Sequence, residues 1–154
     1  MRARPGGLGA GNRGKDPTVV NPPPGYPRVS PYLLYEDAEA AVEYLQHAFA
    51  FELRRTETGA AGRSHYELVL EQDGLVMLGQ AGDAFSSPRT LDVFPASMTH
   101  VYVDDVEALH ERAKAAGAEI TALELSPHGD RRFTATDPEG QLWVFAERVE
   151  TPRA

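Results

Sequence analysis

The residues predict an α+β fold: two tandem βαβββ modules whose curled mixed sheets surround a central cavity. Three observations lead there. A strand-then-helix pattern occurs twice, as Tyr32-Leu33-Leu34-Tyr35-Glu36-Asp37-Ala38-Glu39-Ala40 and as His100-Val101-Tyr102-Val103-Asp104-Asp105-Val106-Glu107-Ala108. In each, an alternating apolar run stops at an aspartate placed to cap an amphipathic helix. Each helix is then followed by further strand-like runs set off by turn residues. One helix per four strands covers only one face of a sheet, so the other face needs a partner, and the second module is the economical one. The seam between two such copies is a natural place for a pocket.

The elements follow in order. Val29–Tyr35 reads as a strand and Asp37 as a helix cap. Ala38–Phe49 reads as a helix, because Ala41, Val42, Leu45, Ala48 and Phe49 form one stripe at helical spacing. Phe51–Glu57, Ser64–Glu71 and Leu75–Gln80 read as strands, with a Gly-bearing turn after the first and Asp73-Gly74 as a hairpin turn before the last. Residues 81–96 are polar, with Gly, Ser and Pro, and read as a linker able to flap over a site. In the second half Thr99–Val103 is a strand, Asp105 a cap, and Val106, Leu109, Ala113 and Ala116 a buried helix stripe stopped by Gly117. Ala118–Leu123, Arg132–Thr136 and Gln141–Glu147 complete the second set of strands. The domain is therefore expected over 28–149, with modules at 28–82 and 97–149, a disordered tail over 1–27 and a short tail over 150–154.

Composition bounds the function. A chain of 154 residues with 42% hydrophobic residues supports one domain with a real core. There is no cysteine, which removes disulfides and thiolate metal sites and fits a cytoplasmic location. No apolar run approaches the roughly 20 residues of a membrane span. The formal charge is -8, and residues 1–27 contribute Arg2, Arg4, Arg13 and Lys15 against Asp16, so the body is more acidic than the whole. Such a body repels nucleic acid and anionic lipid. It keeps the protein soluble and is compatible with a cationic ligand. The first 27 residues, rich in Gly, Pro and Arg, lack an apolar h-region and the amphipathic periodicity of a transit peptide. Gly6-Gly7-Leu8-Gly9 has no strand before it and carries no nucleotide-binding weight.

The module pattern, with Asp37 and Asp105 at equivalent caps, Tyr102-Val103-Asp104-Asp105-Val106, Ala116-Gly117-Ala118, and Gly129-Asp130-Arg131 followed by Asp137-Pro138-Glu139-Gly140, resembles the vicinal oxygen chelate superfamily. This group includes glyoxalase I, extradiol dioxygenases and bleomycin-resistance proteins, and the glyoxalase/bleomycin-resistance subgroup is the nearest likeness. The likeness covers about Arg28 to Val149. It speaks to fold more than to activity, because one fold hosts many functions. One departure is Ala50, where relatives usually place a glycine after the helix.

In the metal-dependent members, His, Gln or Glu ligands sit on four strands and substrate oxygens fill the remaining places. Counted from the shared motifs, those positions are Ser30, Met98, Val144 and Met77. None offers an imidazole or carboxylate, and methionine and valine do not hold a hard or borderline divalent ion. The resemblance thus implies a protein with no metal and no other cofactor. Strand parity offers a displaced set, His65, Glu67 and His100, should the registers bring them together. The bland reading makes these histidines ordinary hydrogen-bonded lining residues.

Tyr32 and Tyr102 read as equivalent places in the two modules, on the side of Ser30 and Met98, and offer aromatic walls with hydroxyl tips, suited to a flat or cationic ligand. Trp143 and Phe145 take the opposite parity from Val144 and read as core. Arg131 is placed either to clamp a carboxylate or phosphate, or to pair with Asp130 or Asp137. His47 and His110 read as solvated helix residues, and His128 as a loop residue.

The expectation is a small-molecule-binding protein whose cavity sequesters an aromatic or cationic compound at Tyr32, His65, Glu67, His100, Tyr102 and Arg131. The bleomycin-resistance resemblance implies a homodimer with pockets at the subunit interface. The alternative is a metal-dependent lyase, isomerase or dioxygenase with a shifted His/Glu site. A third reading, a scaffold subunit, predicts a hollow filled by side chains. The residues leave open whether a reaction is catalysed.

Overall fold

The structure is a computed structural model that describes residues 18–150. The first module holds β1 (Tyr32–Tyr35), α1 (Ala38–Phe49), β2 (Glu52–Thr58), β3 (Ser64–Leu70) and β4 (Gly74–Gln80). A short helix, α2 (Pro88–Leu91), interrupts the linker. The second module holds β5 (Met98–Tyr102), α3 (Val106–Ala115), β6 (Glu119–Ile120), β7 (Glu124–Leu125), β8 (Asp130–Thr136) and β9 (Leu142–Arg148).

The strands form two mixed sheets, ordered β1-β4-β3-β2 and β5-β9-β8-β6, with β7 also paired to β8. In each, the first strand lies at the edge, parallel to the last strand of its module, and the other pairings are antiparallel. This is the two-module α+β arrangement the sequence pattern predicts. α1 and α3 start where aspartates accept from the backbone, Asp37 from Ala40 N–H and Asp105 from Ala108 N–H, at 3.0 and 2.9 Å.

Several boundaries differ from expectation. β1 begins only at Tyr32, after Pro31, which has no N–H for a sheet ladder. The run 118–123 contains one short strand, β6, and a second pairing follows at β7. At the β3–β4 hairpin the left-handed residue is Glu71, φ 55°, rather than Asp73 or Gly74. Ala50 takes the left-handed conformation, φ 62°, that ends α1. Gly117 does the same after α3, φ 74°, as its glycine predicts. The disordered tail expected over 1–27 falls partly on residues 1–17, which lie outside the described residues, as do 151–154. Residues 18–27 are described, and Tyr26 among them packs against the first sheet.

One shared core holds the modules together. Leu45, Phe49, Leu68 and Leu78 from the first module meet Val106, Phe133, Trp143 and Phe145 from the second. The rings of Phe49 and Phe145 lie 4.9 Å apart, and those of Phe51 and Trp143 lie 5.5 Å apart. Arg112 of α3 donates to the carbonyls of Gln46 and His47 at the end of α1. Each sheet therefore turns its helix-bearing face to this core. The opposite faces, which carry Tyr32 and Leu34 in one sheet and Met98, His100 and Tyr102 in the other, remain exposed. The sheets are not closed into a barrel, and within one chain the faces away from the helices do not meet around a hollow as expected, because the modules pack through their helix-bearing faces instead. No helix of the described residues is long and apolar enough to cross a membrane.

Candidate functional site

The open face of the first sheet is built by strand alternation. Leu68 and Leu70 of β3 go to the core, so His65 and Glu67 go to the other side. Val76 and Leu78 of β4 likewise leave Met77 and Gly79 on the open face. Register then places Met77 between Tyr32 and Glu67. Gly79 is required there: a Cβ would come within 2.7 Å of the Tyr32 ring. Freed to lie across β4, the Tyr32 hydroxyl meets His65 Nδ1 at 2.9 Å. His65 Nε2 stands 3.7 Å from Glu67.

Glu67 is only 3% exposed, unusual for a carboxylate on an open face. Its partners explain this. The Tyr26 hydroxyl lies 3.0 and 2.9 Å from its two oxygens and shares its proton between them. A register shift between Leu53 and Arg55 bulges β2. It brings Arg54 Nε to 3.7 Å from Glu67 and its guanidinium over the Tyr26 ring, 4.4 Å from the centroid. Arg54 also donates to the Gly25 carbonyl at 2.9 Å.

The open face of the second sheet carries a parallel group. His100 and Tyr102 project from β5 with ring centroids 5.0 Å apart. The Tyr102 hydroxyl donates to Asp130 at 3.1 Å, and Arg148 pairs with the other Asp130 oxygen. The Arg148 hydrogen bond holds the Asp130 carboxyl below the usual carboxylate range. A cavity of about 310 Å³ runs beside this edge, bounded by Pro31, Gly74, His100, Tyr102 and Trp143.

Five of the six expected residues thus lie on open faces: Tyr32, His65 and Glu67 together, and His100 with Tyr102. Arg131 does not. It takes the opposite parity, beside Glu147, and pairs with Glu107 of α3 rather than with Asp130 or Asp137. Counted back from the cap aspartates, Tyr32 matches His100 and Leu34 matches Tyr102, so the two tyrosines are not equivalent. His110 is not solvated: it packs edge-on against Phe133 and meets the Thr121 carbonyl at 3.0 Å. Trp143 and Phe145 are fully buried, as parity predicts.

Sequence reasoning missed three participants. Tyr26 was hidden inside a segment read as a tail, although it is a lone aromatic after a run of prolines. Arg54 needed the bulge. Asp130 was assigned to a turn, yet β8 begins with it. Asp137 also does more than open a turn. Buried between modules, it accepts from the Tyr35 hydroxyl at 2.7 Å, Trp143 Nε1 at 3.2 Å and the backbone N–H groups of Glu139 and Gln141. Burial pushes its carboxyl upward, against the pull of those hydrogen bonds.

Residues 28–145 match the family described as Glyoxalase/Bleomycin resistance protein/Dioxygenase superfamily. The chain belongs to this superfamily. An uncharacterized protein of Mycobacterium bovis is 34% identical over 130 residues, covering 80% of this chain and 84% of that protein. An uncharacterized protein of Mycobacterium tuberculosis is equally identical over 130 residues, covering 80% and 75%. The crystal structure of TioX from Micromonospora sp. ML1 is 27% identical, with a TM-score of 0.61, covering 82% of this chain and all (100%) of that one. FosX from Listeria monocytogenes, a fosfomycin resistance protein solved with Mn(II) and sulfate, is 15% identical with a TM-score of 0.58, covering 77% and 89%. At that identity the likeness shows the fold alone.

The superfamily metal can be tested against the donors in place. Met77 and Met98 offer thioethers, Val144 nothing, and Ser30 a neutral hydroxyl, so these positions do not fit a hard divalent cation. Within one chain the displaced set is not assembled either. His65 and Glu67 lie on the first sheet and His100 on the second, and no group of three His, Asp or Glu among the described residues is placed to hold an ion. Glu67 is already engaged by Tyr26 and Arg54.

Proposed function

We propose that the protein binds a small organic molecule in a hollow completed by a second copy of the chain, without a metal. The open face of the first module in one chain would oppose the open face of the second module in its partner. One observation carries this reading: both modules expose aromatic and apolar residues on the face away from the core, with Tyr32 50%, Met98 56% and Tyr102 55% exposed. Isolated chains rarely leave such patches uncovered. β1 and β5 are also edge strands, whose unpaired backbone groups invite a neighbour. Brought together, the two faces would wall a cavity with two tyrosines and two histidines, suited to a flat aromatic or cationic guest.

The test is a pair of measurements on the full chain. Sedimentation equilibrium is expected to show a dimer at micromolar concentration. A thermal-shift screen against cationic antibiotics, aromatic metabolites and divalent ions is expected to find an organic ligand that raises the melting temperature with dose. A monomer, or stoichiometric metal that is lost on His65→Ala, would overturn the reading.

A further inference from the structure

The contact between Tyr26 and Glu67 has the form of a bound ligand. Tyr26 stands outside both modules, six residues before β1, and is not part of the shared core. Its hydroxyl nonetheless meets both oxygens of Glu67, at 3.0 and 2.9 Å, and its ring lies under the Arg54 guanidinium at 4.4 Å. Arg55 reaches the same hydroxyl at 3.4 Å. The receiving group is built by the sheet: Glu67 is central in β3, flanked by Arg55 and Met77 in register. A carboxylate only 3% exposed needs a donor in this position, and a phenol brings that donor together with a flat ring for Arg54 to cover.

The second module shows that this chemistry need not come from outside. There Asp130 takes its phenol from Tyr102, on the neighbouring part of the same sheet, and its cation from Arg148. In the first module Leu34 stands where Tyr102 does in the second, and the tyrosine of that strand, Tyr32, is directed to His65. The phenol on Glu67 is therefore supplied by a segment that the module does not contain.

We propose that Glu67 and Arg54 form a subsite for a hydroxylated aromatic ring, and that Tyr26 is its tethered occupant. This rests on the reading of the open face as the ligand face, and it names the ligand class: a neutral phenol that donates to Glu67 and stacks on Arg54. A free phenol must displace Tyr26, so the tether sets a threshold on binding. Tyr32 and His65 flank the subsite and would border the rest of a larger guest.

The probe is p-cresol, which copies the tyrosine side chain, with toluene as the hydroxyl-free control. Both are titrated by calorimetry into the full wild-type chain, Tyr26→Ala, and Tyr26→Ala combined with Glu67→Gln. Tyr26→Ala is expected to bind p-cresol about tenfold more tightly than wild type, since a tethered competitor acts at an effective concentration of about millimolar. Toluene is expected to bind none of the three, and Glu67→Gln to cost about tenfold on the Tyr26→Ala background. If Tyr26→Ala does not fold, Tyr26→Phe keeps the ring, loses the anchor, and is expected to bind p-cresol more tightly than wild type. Equal binding of p-cresol and toluene, equal binding by wild type and variants, or no effect of Glu67→Gln overturns the proposal. Sedimentation of the same samples separates the two readings. A dimer indifferent to p-cresol sinks the subsite alone, and a monomer that binds it sinks the shared hollow alone.

Discussion

The two modules share a topology and fill their helix-bearing faces alike, yet they satisfy their open faces differently. In the second, Tyr102, Asp130 and Arg148 close on one another within a single sheet. In the first, Glu67 depends on Tyr26, from a segment ahead of the module, while Tyr32 turns to His65. The core side is thus fixed by packing, which both copies must preserve. The open side is fixed by pairs of polar groups, which can be exchanged without disturbing the sheet. That division is why the proposed binding site is assigned to the open faces, of which the first module's is the more adjustable.

The largest expected effect sharpens the contrast between the sides. Trp143→Ala removes a fully buried ring that touches Phe49 and Phe51, and is expected to lower unfolding free energy by about 3–5 kcal/mol in urea titrations. His100→Ala, on the open side of the adjacent strand, is expected to change it by less than about 0.5 kcal/mol. Equal costs would erase the distinction.

Next comes the pair of aspartates. Asp137→Ala would strand the Tyr35 hydroxyl, the Trp143 N–H and two backbone donors, and is expected to cost about 1–3 kcal/mol. Their pH signatures run in opposite directions. Asp137 is raised in the folded state by burial, so the native chain holds its proton longer than the unfolded chain. Stability from this group is complete below the ordinary aspartate range and declines as pH rises through the raised value. Asp130 is lowered, chiefly by Arg148, so its contribution is present above the ordinary range and declines as pH falls through the lowered value. Thermal melts from pH 3 to 8 of Asp137→Asn and Asp130→Asn should each remove one of these slopes. Loss of the same slope in both would contradict the assignment.

The smallest effect is a gain. Ala50 holds φ 62° at the end of α1, a conformation that glycine adopts without strain. Ala50→Gly is expected to add about 0.5–1 kcal/mol. Gly117, already a glycine at the matching place after α3, has no such gain to offer.

Much of this was written in the residues. The cap aspartates, the helix stripe from Ala41 to Phe49 and the inward parity of Trp143 follow from local periodicity and match the structure. Arg131 was misread because its strand starts at Asp130, two residues before the expected Arg132, and because its partner Glu107 lies on a helix rather than in the adjoining turn. Tyr26 was invisible for a different reason. Its side chain meets Glu67, Arg54 and Arg55, residues brought near by β2 and β3, so no spacing along the chain could announce them. The Arg54 bulge, likewise, depends on how two strands meet rather than on either strand alone.

The hollow shared between chains can be tested directly, because the chain contains no cysteine to confuse the result. Chains carrying His65→Cys and chains carrying His100→Cys are co-expressed, purified and treated with a short bis-maleimide. A covalent dimer is expected from the mixture and not from either variant alone, since each hollow would join the first face of one chain to the second face of the other. No covalent dimer in the mixture, or the same yield from the separate variants, would contradict it.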